Sequence, residues 1–138
     1  MPTFALEEIK GLKGPIKFFF FLFEGKCEVD EFLDTFEKNG RKKDIAKLYA
    51  SMEALANKMI LPPKKHNYLQ GRNDEKDVFE EWEIKQDAIR LYYFNLNNEK
   101  IIVFGAIKNK KKAQQKDEKK LRSIKLEYLK SIGYDIKK

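Results

Sequence analysis

The fold is decided by residues 77–113, which read DVFEEWEIKQDAIRLYYFNLNNEKIIVFGAIKNKKKA. The stretch contains three runs that are rich in aromatic and β-branched residues, a composition typical of β-strands. Short polar turns separate the runs, and lysines follow the last one. The pattern predicts three consecutive strands that form a meander, and the remaining chain is interpreted as elements that pack on this meander or flank it.

Alternation of side chains in the first two runs predicts the register of their pairing. A hairpin turn at residues 86–89 is expected to pair Lys85 with Arg90. The same register sets Glu83 across from Tyr92. These four side chains then share one face of the sheet, because residues two apart on a strand point to the same side. The sequence thus gathers a carboxylate, an amine, a guanidinium and a phenol in one place.

The third run of the meander is typical of an interior strand. Residues 100–107 are almost wholly apolar, as expected for a strand with both faces covered. Asn97 and Asn98 precede it, and asparagine tolerates the positive φ that a tight turn requires. The apolar run at residues 16–23, IKFFFFLF, has the length of a strand and is predicted to be a further buried strand of the same sheet.

The other segments are interpreted from periodicity and from breaker residues. Three segments have apolar residues at helical spacing and are predicted helices: from residue 29 to the stop at Asn39-Gly40, 42–60 and 115–132. Three segments lack such a pattern. Residues 1–15 are predicted to be an irregular arm or a short helix, and residues 133–138 a tail. Residues 61–73 are predicted to be a loop, because Pro62-Pro63 ends the helix before it. The predicted order is β-α-α-β-β-β-α. It describes a single α+β domain with a small, mainly antiparallel sheet, two helices packed on one face and a C-terminal helix.

Cysteine content and hydropathy limit the class of protein. Cys27 is the only cysteine, so no internal disulfide forms, and the chain has no CxxC or Cys/His spacing for a metal. We interpret Cys27 as an inert thiol. The one long apolar run has eight residues, far short of the roughly 20 that cross a bilayer, and no signal-peptide cleavage pattern is present. These features predict a soluble, cytoplasmic protein with no membrane partner, cofactor or metal.

Positive charge is concentrated towards the C-terminus. Residues 108–138 carry 12 Lys and Arg against 4 Asp and Glu, a net charge of +8, whereas the whole chain carries +7 and the first 107 residues therefore carry −1. A cationic segment beside an exposed sheet face suits nucleic acid, an anionic membrane or an acidic protein. A solvated helix is the alternative interpretation of the same charge.

The single histidine, His66, falls in the predicted loop. An exposed histidine suits a general base or a phosphate contact, because its unperturbed pKa lies near neutrality. An ordinary surface residue is the alternative.

The meander carries three motifs in order: WEIK from Trp82, RLYYF from Arg90 and GAIKNKKK from Gly105. They resemble the W-E-L-R, R-x-x-Y-F and G-F-x-K-K-x-x-K motifs in the core of RelE/ParE-superfamily toxins, in particular the phage-derived HigB-like branch. The segment YLQG at residues 68–71 resembles the K-x-L-x-G approach to the first of these strands. The order of elements from residue 16 to residue 132 also fits that family.

The resemblance implies a metal-independent endoribonuclease that cuts mRNA in the ribosomal A site and is silenced by a cognate antitoxin, a helix-turn-helix protein. Attack by the neighbouring 2′-hydroxyl needs a base, cations for the charge on the phosphate and an acid for the leaving 5′-oxygen. Arg90 is the first candidate for phosphate stabilisation, because a guanidinium grips two oxygens. Lys85 and Lys108 are further cations. Glu83 is a candidate base or, more simply, the carboxylate that orients Arg90.

The same resemblance suggests which residues bind RNA. Tyr92 is a candidate for stacking on an unpaired base. Positively charged residues of the cationic segment and of the loop before the meander are candidates for the RNA backbone: Lys110, Lys111, Lys112, Lys65 and Arg72. This interpretation requires Arg90 to be open to solvent and to face Lys108. A cross-strand ion pair between Arg90 and Glu83 with little functional consequence is the alternative.

Three other functions remain open at this stage. ParE-like members of the superfamily act on DNA gyrase and need no nuclease residues. An inactive relative that serves as a protein-binding module is favoured by Ala106 and Asn109, which replace an aromatic residue and a lysine of the family motif. The third is an ordinary nucleic-acid-binding domain, whose signature is salt-dependent RNA affinity without cleavage.

Overall fold

The computed structural model describes residues 3–108 except 71–78, and residues 111–133. At residues 70 and 111–114 it describes the backbone alone. The described residues form six strands and three helices in this order: β1 (Phe4–Glu8), β2 (Lys17–Phe23), α1 (Glu28–Lys38), α2 (Lys42–Ala56), β3 (His66–Gln70), β4 (Glu81–Gln86), β5 (Ile89–Leu96), β6 (Glu99–Ile107) and α3 (Lys111–Ser131).

The six strands form one mixed sheet in the order β1-β2-β6-β5-β4-β3. β2 runs parallel to β6, and the other four neighbouring pairs are antiparallel. The prediction of an α+β fold with a mainly antiparallel sheet is therefore confirmed. The described part of the chain has two strands more than predicted, β1 and β3, and these form the two edges of the sheet.

The predicted meander is confirmed as β4, β5 and β6. Lys85 pairs with Arg90, and Glu83 pairs with Tyr92 in the same register. Asn97 has a φ of 58°, so the second turn uses asparagine in the predicted way. Residues 77–78, the predicted start of the first strand, lie outside the described residues.

Two segments that were predicted without strand structure are edge strands, so both predictions are wrong. β1 pairs with the phenylalanine-rich β2, with Phe4 opposite Phe23. β3 pairs with β4, with Tyr68 opposite Trp82. Both edge strands have five residues and no β-branched residue. Their neighbours supply the pairing that their own composition does not indicate.

The helices are confirmed, with different limits. α2 ends at Ala56, before the predicted residue 60, because the Asn57 N–H bonds to helix carbonyls and Lys58 has a φ of 61°. The left-handed backbone at Lys58 therefore ends the helix, and the two prolines lie further along the chain. α3 begins at Lys111, four residues before the predicted start at 115, so that part of the cationic segment is helical. Residues 134–138 of the predicted tail lie outside the described residues.

The sheet has an apolar core on each face. α1 and α2 cover one face, where Leu91 and Tyr93 of β5 are buried. α3 lies on the other face, where Leu121 belongs to the same core as Tyr92 and Phe94. The predicted alternation along β5 and the covering of both faces of β6 are thus confirmed. The position of α3 sets the surroundings of the predicted site.

Candidate functional site

The candidate site is the face of β4 and β5 that carries Glu83, Lys85, Arg90 and Tyr92, called here the β4–β5 face. The pairing of the two strands brings these four side chains together as predicted. Ala106 of β6 lies opposite Arg90 on the next strand. Alternation along neighbouring antiparallel strands is sufficient to produce this arrangement.

Arg90 is buried on this face, with 7% of its surface exposed, so the expectation of a solvent-facing guanidinium is wrong. Its Nη1 donates hydrogen bonds to the carbonyl oxygens of Asp87 at 2.5 Å and Ile89 at 3.0 Å. Its Nε lies 3.8 Å from Oε1 of Glu83, which is also buried. Arg90 is therefore folded onto the hairpin turn and beside its carboxylate, as the alternative of a cross-strand ion pair describes.

Tyr92 is covered as well, with 1% of its surface exposed beneath the core that includes α3. Burial, and then the charge of Glu83, raises the pKa of Tyr92. The phenol therefore stays protonated at neutral pH, and its ring is not accessible to a base in this conformation.

Lys85 and Lys108 are the accessible cations at the end of the β4–β5 face. Lys85 is half-buried; with the Asn67 amide oriented to satisfy both of its neighbours, Lys85 Nζ donates to the Asn67 oxygen at 2.9 Å. Burial lowers the pKa of Lys85, Glu83 opposes that effect, and the charges of Arg90 and Lys108 lower it further. Lys108 is exposed, and its backbone N–H donates to the Ala88 carbonyl at 2.8 Å. Three positive groups therefore act on one another at this end of the sheet.

A buried ionic cluster between β4 and α3 was not predicted. Lys125 has no exposed surface; its Nζ lies 2.5 Å from Oε2 of Glu81 and donates to the Phe79 carbonyl at 2.9 Å. Arg122 Nη1 lies 3.5 Å from the same carboxylate oxygen of Glu81. A sequence signal existed, because Lys125 stands four residues after Leu121, on the apolar stripe of the helix.

Glu118 of α3 is a second residue that the sequence did not indicate. Burial, and then the charges of Glu83, Glu81 and Asp117, raises the pKa of Glu118. A carboxyl group whose pKa is raised is better suited to donate a proton than an ordinary surface glutamate. Glu118 therefore adds a candidate acid to the β4–β5 face.

His66 is separated from the β4–β5 face by the sheet itself. It lies in β3 rather than in a loop, opposite Ile84, whose side chain belongs to the core under α1 and α2. Its ring stacks on Trp82 with centroids 4.3 Å apart, and its Nε2 lies 2.6 Å from the Tyr93 hydroxyl. Burial, and then the charge of Lys100, lowers the pKa of His66 to about 4. The structure therefore does not bring His66 together with Arg90.

We expect the burial of His66 to make the protein less stable in mild acid. The folded pKa of about 4 lies below the unfolded value of 6.5, so the unfolded chain binds more protons between these two values. The free energy of unfolding should therefore fall as the pH is lowered through this window, by on the order of 1 kcal/mol from this group. Urea unfolding at pH 7 and pH 4.5 tests this, with His66→Gln as the matched variant. The loss on acidification should be smaller in His66→Gln, and an equal loss in both proteins contradicts the prediction.

The remaining predicted RNA contacts are only partly described. Lys65 is half-buried just before β3, and its carbonyl accepts a hydrogen bond from the Lys85 N–H at 2.8 Å. Lys111 and Lys112 form the first residues of α3, where the backbone alone is described. Lys110 and Arg72 lie outside the described residues.

No family model, curated protein or solved structure matches this chain. Among the described side chains, no group of three or more His, Cys, Asp and Glu is arranged to hold a metal ion. The described helices include none that combines the length and the apolar character needed to cross a bilayer. The function is therefore inferred from the chemistry of the β4–β5 face.

Proposed function

We propose that this chain is the toxin of a type II toxin–antitoxin system, a metal-independent endoribonuclease that cuts mRNA on the ribosome. The observation that supports the proposal is the register of β4 and β5, which gathers Glu83, Lys85, Arg90 and Tyr92 on one face. Lys108 lies at the end of that face and acts on Lys85 through its charge. The resemblance of residues 82–112 to the RelE/HigB toxins supplies the reaction.

The proposed fold is RelE-like. β2, α1, α2, β4, β5, β6 and α3 occur in the order that the resemblance implies. β1 and β3 lie at the two edges of the sheet, so the four strands of the predicted order, β2, β6, β5 and β4, are contiguous. The addition of edge strands is compatible with a common core, because each edge strand contacts a single neighbour.

In the proposed reaction the scissile phosphate binds at the accessible end of the β4–β5 face. Lys85 and Lys108 contact the phosphate oxygens, and their charges stabilise the negative charge that develops as the 2′-oxygen attacks. Arg90 is buried and bonded to the Asp87 carbonyl, so the open guanidinium that the sequence interpretation required is not present in this arrangement. The proposal therefore depends on Lys85 and Lys108, and Arg90 joins them only if it turns away from that carbonyl. Glu83 orients the guanidinium, because its Oε1 lies 3.8 Å from Arg90 Nε. A solvent water accepts the proton of the attacking 2′-hydroxyl as the bond between the 2′-oxygen and phosphorus forms, and Glu118 donates a proton to the 5′-oxygen as its bond to phosphorus breaks.

Base contacts in this proposal require α3 to move. Tyr92 stacks on a base only when α3 no longer covers it, because its surface is closed in the present arrangement. Contacts between the phosphate and Lys85 or Lys108 need no such movement. This proposal implies a location in the cytoplasm. It implies two partners, an antitoxin with a helix-turn-helix domain and the ribosome with its mRNA.

A second candidate function is a protein-binding module without nuclease activity. The specific observation in its favour is the burial of Arg90 and Glu83, which already interact with each other and with the hairpin turn. In that case the charged residues of the β4–β5 face stabilise the fold, and the chain binds a protein partner without cleaving RNA.

Induction of the chain in bacterial cells, followed by mapping of RNA 5′ ends, tests the proposal. We expect growth arrest together with new 5′ ends inside translated regions, absent from a matched culture that carries a stop codon early in the gene. Damaged DNA with intact transcripts assigns a ParE-like target instead. Unchanged growth and intact transcripts, at a confirmed level of the protein, leave the binding module as the function.

A further inference from the structure

The turn between α1 and α2 forms a basic groove outside the β4–β5 face. The groove is open, has a volume of about 680 Å³ and is lined by charged side chains and one glycine. Two of its charged residues are acidic, and five are basic: Lys38, Arg41, Lys42, Lys43 and Lys47. This cluster is not apparent from the net charge of the first 107 residues, because acidic residues elsewhere in that segment cancel its positive charge. We call it the α1–α2 groove.

The positive charge of the α1–α2 groove is only partly used inside the protein. Lys38 pairs with Asp34 at 3.0 Å, and Arg41 pairs with Asp44 at 2.6 Å. The other three lysines, Lys42, Lys43 and Lys47, are exposed. Two of those three stand in the first turn of α2, where the helix dipole disfavours cations. Helix stability therefore does not account for them.

The α1–α2 groove and the proposed cleavage site lie on either side of the same hairpin turn. Gln86, the last residue of β4, donates a hydrogen bond to Oδ1 of Asp44 at 3.2 Å, which fixes the start of α2 beside the turn. On the other side of the turn, the Asp87 carbonyl holds Arg90 and the Ala88 carbonyl accepts from Lys108. The basic residues of the groove and the cations Lys85 and Lys108 therefore adjoin the same turn, in which Asp87 is an exposed acidic residue.

From this proximity and the five basic residues of the lining, we propose that the α1–α2 groove binds the sugar–phosphate backbone of single-stranded RNA, a few nucleotides away from the phosphate at Lys85 and Lys108. The identity of the strand as substrate RNA rests on the proposed function. A membrane fits the groove less well, because the lining is polar and offers no apolar side chain to insert. Contacts between lysines and phosphates are independent of base sequence, so the groove adds affinity and length dependence rather than sequence preference.

Binding of 2′-O-methyl RNA tests the proposal, because this RNA lacks the attacking hydroxyl and stays intact. Fluorescence anisotropy at several salt concentrations is compared for wild type and Lys42→Gln/Lys43→Gln/Lys47→Gln. For a strand of about 20 nucleotides, loss of three phosphate contacts should make the log–log salt slope shallower by about 2 and weaken binding at least about tenfold.

The matched control is Lys10→Gln/Lys13→Gln/Lys17→Gln, which removes the same charge from exposed lysines. The Lys13 N–H bonds to Glu53 at 2.9 Å, so this control site lies towards the C-terminal end of α2, away from the groove. The control should bind RNA with the wild-type salt slope. An equal loss in the control and in the groove variant overturns the proposal, because net charge then explains the binding.

Three further outcomes are decisive. A wild-type salt slope in the groove variant, with an unchanged unfolding midpoint, overturns the proposal. A groove variant that keeps RNA affinity but no longer binds phosphatidylcholine–phosphatidylserine vesicles also overturns it and assigns the groove to a membrane. Loss of RNA binding in the groove variant, in a chain whose induction leaves messages intact, supports the groove as an RNA site while the ribonuclease proposal fails.

Discussion

Replacement of Lys125 by alanine is expected to lower the free energy of unfolding by about 3 to 5 kcal/mol. Lys125 is fully buried and lies 2.5 Å from a carboxylate oxygen of Glu81, which is only 2% exposed. Removal of the amine leaves that carboxylate in a low-dielectric environment, with Arg122 at 3.5 Å as its remaining counter-ion. A buried charge without its partner is strongly destabilising, even where the intact pair itself contributes little.

Urea unfolding followed by circular dichroism measures this effect, and Lys120→Ala is the matched control. Lys120 belongs to the same helix and pairs with Glu28 at 3.1 Å, but both side chains are about half exposed. That exposed pair should contribute no more than about 1 kcal/mol. Adding Glu81→Gln to the Lys125→Ala variant should recover part of the lost stability, because it removes the charge of the buried carboxylate. Similar losses for Lys125→Ala and Lys120→Ala contradict the structural role of the buried pair.

The buried pair also changes what the basic C-terminal segment is able to do. The net charge of +8 over residues 108–138 includes Lys125 and Arg122, which face Glu81 inside the protein. Both cations hold α3 on the sheet. Lys125 is not accessible to RNA in this conformation, and the Arg122 side chain is only 27% exposed. The predicted electrostatic attraction of nucleic acid therefore depends on fewer groups of α3 than the sequence indicates, and on the α1–α2 groove as well.

The second large effect is expected at the proposed cleavage site. Lys85→Gln/Lys108→Gln should lower the rate of message cleavage by roughly 10²- to 10³-fold, because it removes the fixed positive charges that stabilise the negative charge developing on the phosphate. Arg90→Ala should lower the rate at least as much. The Arg90 variant also leaves Glu83 buried without its guanidinium, so its unfolding free energy has to be measured beside its activity. The double lysine variant is the cleaner test, because Lys85 is only half-buried and Lys108 is exposed.

The central part of the fold could be predicted because it depends on local patterns. Alternation along β4 and β5 was sufficient for the pairing of Lys85 with Arg90, and helical spacing was sufficient for α1 and α2. β1 and β3 could not be predicted in this way. Their residues adopt strand structure because the next strand along the chain supplies the hydrogen-bonding partners, and their own composition does not indicate a strand.

The composition of the site was predictable, but its exposure was not. The sequence placed Arg90 and Tyr92 on one face. The path of α3 over that face depends on tertiary contacts, such as the packing of Leu121 in the core that contains Tyr92 and Phe94. The position of His66 on the opposite face follows from its place in β3, which was predicted as a loop. The α1–α2 groove was missed for a different reason, because a sum of charges along the chain does not report their arrangement in space.

The most direct test of the proposed ribonuclease site is the single-turnover rate of cleavage on purified ribosomes that carry a defined mRNA. Wild type, Lys85→Gln/Lys108→Gln and the control Lys10→Gln/Lys17→Gln are compared at the same protein concentration, after their unfolding midpoints have been shown to agree. We predict that wild type and the control cut within the message at the same rate, and that Lys85→Gln/Lys108→Gln is at least roughly 100-fold slower. Equal rates for wild type and Lys85→Gln/Lys108→Gln, or no cleavage by wild type, contradict the proposed site.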